Sequence, residues 1–343
     1  MAIFQHNIMR GYLKEAQKMI LQKRRIGKEL LYYRALSRRM KLDNDTQKSL
    51  DIHERGYQGE LVYDAVYDET LTHLYVFRGV YLKVRNTIIQ CDSLLVSDNG
   101  LILHEIKNYS GNYTYEDEKW LVRNFQISED PFIQLKRATN NLLKIKYNNQ
   151  INFSIEGKII FPNIDFSLTS TEDKIWNSTI MRNQLRKYLS SFKTHPATNQ
   201  AVELVEIIQS HIIDDPFFNV STDYNLLKKG VYCRACGSFN LTRTVVHFKC
   251  HDCSHRDTIH TVTLLAIADL SILFQNTNIT RQQVYAYLDG QVSLSTITKI
   301  LKTYCDAVSN GPNTSYKFNY YDFDDAYNLK SRTSRYKDSP ILI

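Results

Sequence analysis

Four of the six cysteines fall in one 21-residue stretch, as Cys233-x-x-Cys236 and Cys250-x-x-Cys253 separated by 13 residues. A Cys-x-x-Cys pair folds into a tight knuckle that offers two thiolates to one ion, and two knuckles complete a closed tetrahedral four-sulfur site. The spacing therefore predicts a zinc ribbon over 228–260, with Zn²⁺ held by Cys233, Cys236, Cys250 and Cys253. Gly237 suits the turn after the first knuckle, and Thr242 to Phe248 reads as an intervening strand. His247, His251 and His255 lie nearby, but four thiolates already fill the coordination sphere. An ion with no open position is structural rather than catalytic. The competing reading is a pair of redox dithiols; the paired spacing and a cytoplasmic setting argue against it. Cys91 and Cys305 stand apart from this cluster.

The rest of the chain must fold into something larger, and 343 residues suffice for two or three domains. No apolar run approaches the length of a membrane span, and Met1 to Gly11 lacks the apolar core and cleavage site of a secretory signal. The cytoplasm is the expected location, with no membrane partner. The net charge of +7 is uneven: residues 1–56 hold 13 Lys/Arg against 6 Asp/Glu, and the remainder balances at 30 against 30. A basic arm on a neutral body points to a polyanion such as nucleic acid; the bland alternative is a solvated helix face.

Residues 12–42 have the amphipathic spacing of a helix, and a second helix is expected from Thr46 to Tyr67. Gly56 and Gly59 lie inside it. Each costs about 1 kcal/mol there relative to Ala, which suggests that something approaches closely. Residues 74–107 are β-rich, with Asp98-Asn99-Gly100 as a hairpin turn before the return strand Leu101–Lys107. Tyr113 to Val122 reads as a further strand pair, Pro131 to Tyr147 as a helix, Gly157 to Phe161 as a buried strand, and 179–213 as helical with a break near Pro196.

The hairpin carries the chemistry. Glu105 and Lys107 stand at i and i+2, so on a strand they share a face. A two-residue Asn99-Gly100 turn makes positions that sum to 199 pair, which sets Asp92 opposite Lys107 and Leu94 opposite Glu105 and brings the three polar groups together. Two carboxylates are hard oxygen ligands for Mg²⁺ or Mn²⁺. A metal there polarises a phosphoryl oxygen and activates water, and Lys107 positions that water or stabilises charge developing on the phosphate. An ordinary exposed charge pair is the alternative, since Glu-x-Lys alone is common.

The segments around this hairpin resemble a known family. Gln90-Cys91-Asp92-Ser93-Leu94-Leu95-Val96, Asn99-Gly100 and Glu105-Ile106-Lys107-Asn108-Tyr109-Ser110-Gly111 are similar to the nuclease-related domain, NERD, of the PD-(D/E)XK superfamily. Arg55-Gly56-Tyr57-Gln58-Gly59-Glu60 resembles its upstream Gly-Glu motif, and Asp130-Pro131-Phe132-Ile133-Gln134 its downstream Asn-Pro-x-x-Gln motif, with Asp130 in place of Asn. The resemblance implies an α/β (α+β) fold with a mixed sheet flanked by helices. It also implies that Asp92 and Glu105 are metal ligands, that Lys107 is the catalytic lysine, that Glu60 is an accessory ligand or orients a bound water, and that Gln134 sits nearby. Cys91, where the family often has Ile, reads as a small buried hydrophobe rather than a nucleophile.

Thr280 is placed to cap a helix Arg281–Leu288, Asp289-Gly290 to break it, and Ser293 or Ser295 to cap a second helix reaching Tyr304. Val284, Leu288, Ile297, Ile300 and Leu301 would form the shared core. Two readings stay open: a helix-turn-helix, or a helical hairpin packed on the zinc module. The expected organisation is thus a basic helical region at 1–55, a NERD-like domain at 56–215, the ribbon at 228–260, helices at 261–308, and an unassigned tail at 309–343. The expected function is Mg²⁺- or Mn²⁺-dependent hydrolysis of phosphodiester bonds, with DNA as substrate, in DNA processing or defence against foreign DNA. The C-terminal module would contact substrate, a second copy or another protein. The rival is a non-catalytic nucleic-acid-binding protein built on the same fold.

Overall fold

A computed structural model describes residues 19–70, 73–194, 197–216, 222–275, 277–309, 311, 314–330 and 336–341. The chain divides into two compact units, one of residues 1–26 with 51–216 and one of 27–50 with 217–343. No helix among the described residues is long and apolar enough to cross a membrane.

The first unit is a mixed α/β sandwich. Strands β1 (Ile20–Gln22), β2 (Tyr75–Val84), β3 (Thr87–Ser97) and β4 (Gly100–Ile106) open its main sheet. Strands β5 (Gly111–Glu116), β6 (Lys119–Val122) and β7 (Phe125–Gln126) leave it, and β8 (Ser154–Phe161) returns. β9 (Phe166–Thr169) joins the small sheet β7-β6-β5-β9, while β10 (Thr179–Met181) completes the main order β1-β2-β3-β4-β8-β10 and β11 (Ile212–Ile213) pairs with β2. The β2-β3-β4 meander is antiparallel, whereas β1 joins β2 and β8 joins both β4 and β10 in parallel.

Both faces of the sheet are covered, as the unbroken apolar runs of β3 and β4 require. On one face Leu94, Leu101 and Leu103 pack with Leu135, Leu142 and Ile145 of the helix Pro131–Asn149 and with Leu204 and Ile208 of the helix Asn199–His211. On the other, Leu95, Ile102 and Ile106 pack with Tyr63 and Val66 of the helix Asn44–Thr70 and with Leu185 and Leu189 of the helix Arg182–Ser191. Residues 12–18 of the expected first helix lie outside the described residues; Ile20–Gln22 is a strand, and the helix itself is Lys28–Arg39. Parallel pairing with β2 overrides the local helical spacing there.

In the second unit, the helices Lys28–Arg39 and Ile259–Leu273 share one core with the two short helices Arg281–Tyr287 and Leu294–Tyr304. The cysteine segment is a three-stranded antiparallel sheet of Leu241–Arg243, His247–Cys250 and Arg256–Thr258. The expected single strand Thr242–Phe248 is therefore a hairpin, turned at 244–246. The tail forms the strand Ser315–Phe318 and the helix Phe323–Lys330. Asp338 then accepts from Thr258 N at 2.6 Å and Thr261 Oγ1 at 2.8 Å, at the start of the helix Ile259–Leu273.

A candidate carboxylate site and a candidate thiolate centre

The hairpin turns one step earlier than its sequence suggests. Ser97 pairs with Gly100 and Ser93 with His104, so opposed positions sum to 197 and the two-residue loop is Asp98-Asn99. Leu94 faces Leu103 rather than Glu105, and Asp92 does not face Lys107. Two long-range contacts set this register. A Cβ on Gly100, at φ 145°, would stand 2.7 Å from Ser154 N of β8, so no other residue fits there. Asp98 is drawn away to cap the helix Asn199–His211, accepting from Thr198 N at 2.8 Å and Ala201 N at 3.1 Å. The slip is of two positions, so the alternation of faces survives it.

Asp92 sits where the β2–β3 ladder is interrupted. The register runs from Arg78↔Ser93 to Val80↔Cys91 and skips the Gly79–Asp92 position, with Gly79 at φ 60°. Core residues step from Phe77 to Val80 on β2 and from Leu94 to Cys91 on β3, so both strands lose one step of alternation there. Asp92 is buried, and its Oδ2 accepts from Ile106 N at 2.8 Å. That bond ties the Asp92 carboxylate to the end of β4, directly between Glu105 and Lys107.

Lys107 Nζ lies 2.9 Å from Glu105 Oε1, both side chains being largely buried. Burial raises the Glu105 pKa to about 7, the charge of Asp92 adds to the rise, and Lys107 offsets part of it. Burial opposes the Lys107 charge, but Glu105 and Asp92 together hold its pKa above the ordinary lysine value. Glu60 comes from the facing helix Asn44–Thr70. Its pKa is raised by burial first and by Asp92 second, with Arg24 working the other way. Carboxylates crowded and desolvated in this way gain from a bound cation.

The glycine in that helix explains how Glu60 arrives. A Cβ on Gly59 would overlap Asn108 Cβ and stand 2.8 Å from Asn108 Cγ, while Asn108 Nδ2 donates to Arg55 O at 2.8 Å. The upstream Gly-Glu segment and the segment after Glu105-x-Lys107 therefore meet, and only glycine allows the approach. A Cβ on Gly56 would meet nothing within 4 Å, so that glycine plays no such part.

Gln134 is on the first turn of the helix Pro131–Asn149, which Asp130 caps by accepting from Phe132 N at 2.7 Å. Aspartate thus keeps the capping capacity of the asparagine it replaces. Gln134 Nε2 donates to Glu129 Oε2 at 2.5 Å, and the Glu129 charge is among those raising Glu105. Gln134 reaches the site through Glu129, a residue that no motif in the sequence marks. Cys91 is wholly buried and its thiol pKa is pushed up by burial, as a packing residue requires. His104, beside Glu105, is buried between Tyr63 OH at 2.6 Å and Tyr188 OH at 2.9 Å. Burial lowers its pKa to about 3, which keeps it neutral and structural.

Two more residues are hidden in the sequence. Glu60, Asp64 and Asp68 stand at i, i+4 and i+8 on one helix, the spacing of a single face. Arg24 fills the first gap, with Nη1 2.8 Å from Glu60 Oε2 and Nε 2.7 Å from Asp64 Oδ2. Arg78 fills the second, pairing with Asp64 at 3.5 Å and Asp68 at 2.5 Å. Arg24 belongs by sequence to the basic arm expected to face solvent, yet its side chain is only 3% exposed. The acidic stripe is the signal that could have found both arginines.

In the second unit the four Sγ atoms of Cys233, Cys236, Cys250 and Cys253 lie within 4.8 Å of one another. Cys233–Cys253 is 3.5 Å and Cys236–Cys250 3.6 Å, close to the sulfur–sulfur edge of about 3.8 Å implied by metal–sulfur bonds of about 2.3 Å. Each knuckle closes alike, Gly237 N donating to Cys233 O at 2.8 Å and Ser254 N to Cys250 O at 3.1 Å, with positive φ at Gly237 and Ser254. The nearby histidines point elsewhere: His247 meets Lys337 O, His251 meets Thr242 Oγ1, and His255 meets Asp257 Oδ1. The thiolates fit a tetrahedral metal without them.

The family model of the nuclease-related domain, NERD, matches residues 55–162, a span that runs from the Gly-Glu helix segment to the end of β8. Neither a curated protein nor a solved structure matches the chain.

Proposed function

From a chain whose residues 55–162 form a nuclease-related domain, we propose a Mg²⁺- or Mn²⁺-dependent nuclease that hydrolyses phosphodiester bonds, with DNA as substrate, in DNA processing or defence against foreign DNA. The observation that carries the reading is the convergence of Asp92, Glu105 and Lys107 at the end of β4, with Asp92 fixed by Ile106 N. Asp92 and Glu105 would hold the divalent ion. When bound, it supplies a Lewis acid for the phosphoryl oxygen and lowers the pKa of a coordinated water.

The protein's own groups do the rest. Lys107 stays protonated beside Glu105 and places a positive charge where the phosphate becomes more negative. Glu60, brought by the helix Asn44–Thr70, would serve as an accessory ligand or orient a bound water. Gln134, through Glu129, holds the neighbouring wall of the site.

The cysteine centre is assigned to structural Zn²⁺, with four thiolates and no open position. The second unit is proposed as a nucleic-acid contact. Its residues carry 20 Lys/Arg against 13 Asp/Glu, whereas the first unit balances at 23 against 23. Both readings of the two short helices, a helix-turn-helix or a helical hairpin packed on the zinc module, share the caps that form: Thr280 and Gln283 make a capping box, and Ser293 caps Leu294–Tyr304. The outer face of that second helix exposes Ser295, Lys299 and Lys302. A cytoplasmic site of action fits this assignment.

The test is incubation of the purified chain with linear, circular and single-stranded DNA and with RNA, in Mg²⁺, Mn²⁺ or EDTA. Glu105→Ala and Lys107→Ala run beside it. Cleavage that needs the metal and disappears in both variants is expected. Cleavage that survives both substitutions moves the chemistry elsewhere; binding without cleavage favours the non-catalytic rival.

A further inference from the structure

We propose that Arg24 is a positioning residue of the carboxylate site: a buried guanidinium that seats Glu60 against Asp92. The inference rests on the hydrolytic reading of that site. Arg24 lies outside residues 55–162, the span matched by the family model, so the proposal concerns a part this chain brings to the domain from upstream.

The geometry is that of a four-way junction. Arg24 Nη1 donates to Glu60 Oε2 at 2.8 Å, Nε to Asp64 Oδ2 at 2.7 Å, and Nη2 both to Asp64 Oδ1 at 3.1 Å and to Asp92 O at 2.9 Å. Asp64 receives the guanidinium as a two-pronged fork, which fixes its plane. With the plane set, one of the remaining N–H bonds reaches Glu60 and another the Asp92 carbonyl. The carbonyl contact matters most. The β2–β3 ladder skips the Gly79–Asp92 position, and Arg24 supplies the donor that the neighbouring strand withholds. Gly79 lies beside the guanidinium, in the left-handed conformation at φ 60° that glycine adopts without strain. Gln22 Nε2, two residues earlier, also donates to Gly79 O, at 3.3 Å.

Arg24 therefore touches the backbone of one proposed metal ligand and the side chain of the accessory carboxylate. Its role is to position these groups rather than to react. Glu60 keeps its other oxygen, Oε1, for the site. A lysine would keep the charge and lose the fork, so it would hold Asp64 without fixing Glu60 and Asp92 together.

The test compares Arg24→Lys and the double variant Arg24→Ala with Asp64→Asn against the wild-type full chain. The second change removes the acid that would otherwise lose its two-pronged partner and keep only Arg78; Arg78 keeps Asp68, so that folding survives. Mn²⁺ binding is read by electron paramagnetic resonance, cleavage as kcat and KM separately, and folding as the melting temperature. Expected are near-wild-type melting, Mn²⁺ affinity weakened about 10–100-fold, and kcat lowered on the order of 100-fold with KM little changed. Guanidinium ion added to the single variant Arg24→Ala, which keeps the Asp64 fork, should restore part of both, whereas Arg24→Lys should stay as impaired as the double variant. Wild-type Mn²⁺ affinity and kcat in the double variant overturn the proposal while leaving the nuclease reading intact. Losses that track the melting temperature and ignore guanidinium also overturn it, by making Arg24 a scaffold only. A wild-type chain that neither binds Mn²⁺ nor cleaves removes the nuclease reading and this proposal with it.

Discussion

The two units gather their candidate metal ligands in opposite ways. The cysteine centre gathers four like groups within 4.8 Å and offers nothing else a place. The carboxylate site gathers Glu60, Asp92 and Glu105 from three elements and balances them only in part, with Arg24 on one side and Lys107 on the other. A closed set of soft ligands can only hold an ion and shape the chain around it. An open set of hard ligands with an unsettled charge can bind an ion and still admit substrate. Under the proposed function, the difference would separate an ion that only shapes the chain from one that takes part in the chemistry.

Breaking the closed site should have the largest effect. Cys236→Ser, or a zinc chelator, is expected to unfold the second unit, because structural zinc contributes on the order of 10–16 kcal/mol to small zinc modules. Calorimetry should then lose one transition and keep that of the first unit; an unchanged trace would mean the thiolates hold no structural ion.

The open site is sensitive to approach rather than to a single ligand set. Gly59→Ala forces a methyl group into Asn108, and overpacking of this kind costs about 1–3 kcal/mol. The loss should show as a lower melting temperature and reduced cleavage together, since Glu60 is the next residue. A variant as stable and active as the wild type would show that the helix can shift freely.

Acidity sharpens the contrast further. Glu105, whose folded pKa is lifted by burial to about 7 from 4.5, favours the folded state when protonated. That contribution is fully present below about pH 4.5 and is lost as pH rises through about 7. Without divalent metal, the first unit should melt higher at pH 5.5 than at pH 8, each kcal/mol appearing as about 2–4 °C. Added Mg²⁺ should flatten the dependence. A metal-free unit that is more stable at pH 8 would contradict the burial assigned to Glu105.

The smallest effect is a control within the same helix. Gly56→Ala meets nothing within 4 Å and should stabilise the helix by about 0.5–1 kcal/mol. The same substitution three residues apart then changes sign, and denaturant titration of the two variants measures it.

Legibility followed how local each cause is. The thiolate centre was readable because knuckle and ligand spacing are properties of neighbouring residues, and Cys233, Cys236, Cys250 and Cys253 assemble as their spacing requires. The Pro131 helix and its Asp130 cap were readable for the same reason. The hairpin was readable in its parity but not in its register, because Gly100 is set by Ser154 and Asp98 by Thr198, 54 and 100 positions away. Gly59 announced that something comes close without saying that it is Asn108. Arg24 reads wrongly from sequence: a basic residue in a basic stretch looks solvated until Asp64 and Asp92 are known to surround it.

Metal stoichiometry tests the central separation most directly. Native mass spectrometry of the full chain, purified with zinc and titrated with Mn²⁺, should find one zinc that resists Mn²⁺ and a Mn²⁺ that binds beside it. Glu105→Gln should keep the zinc and lose the Mn²⁺. Equal Mn²⁺ binding by Glu105→Gln and the wild type, or Mn²⁺ that replaces the zinc, would contradict the account.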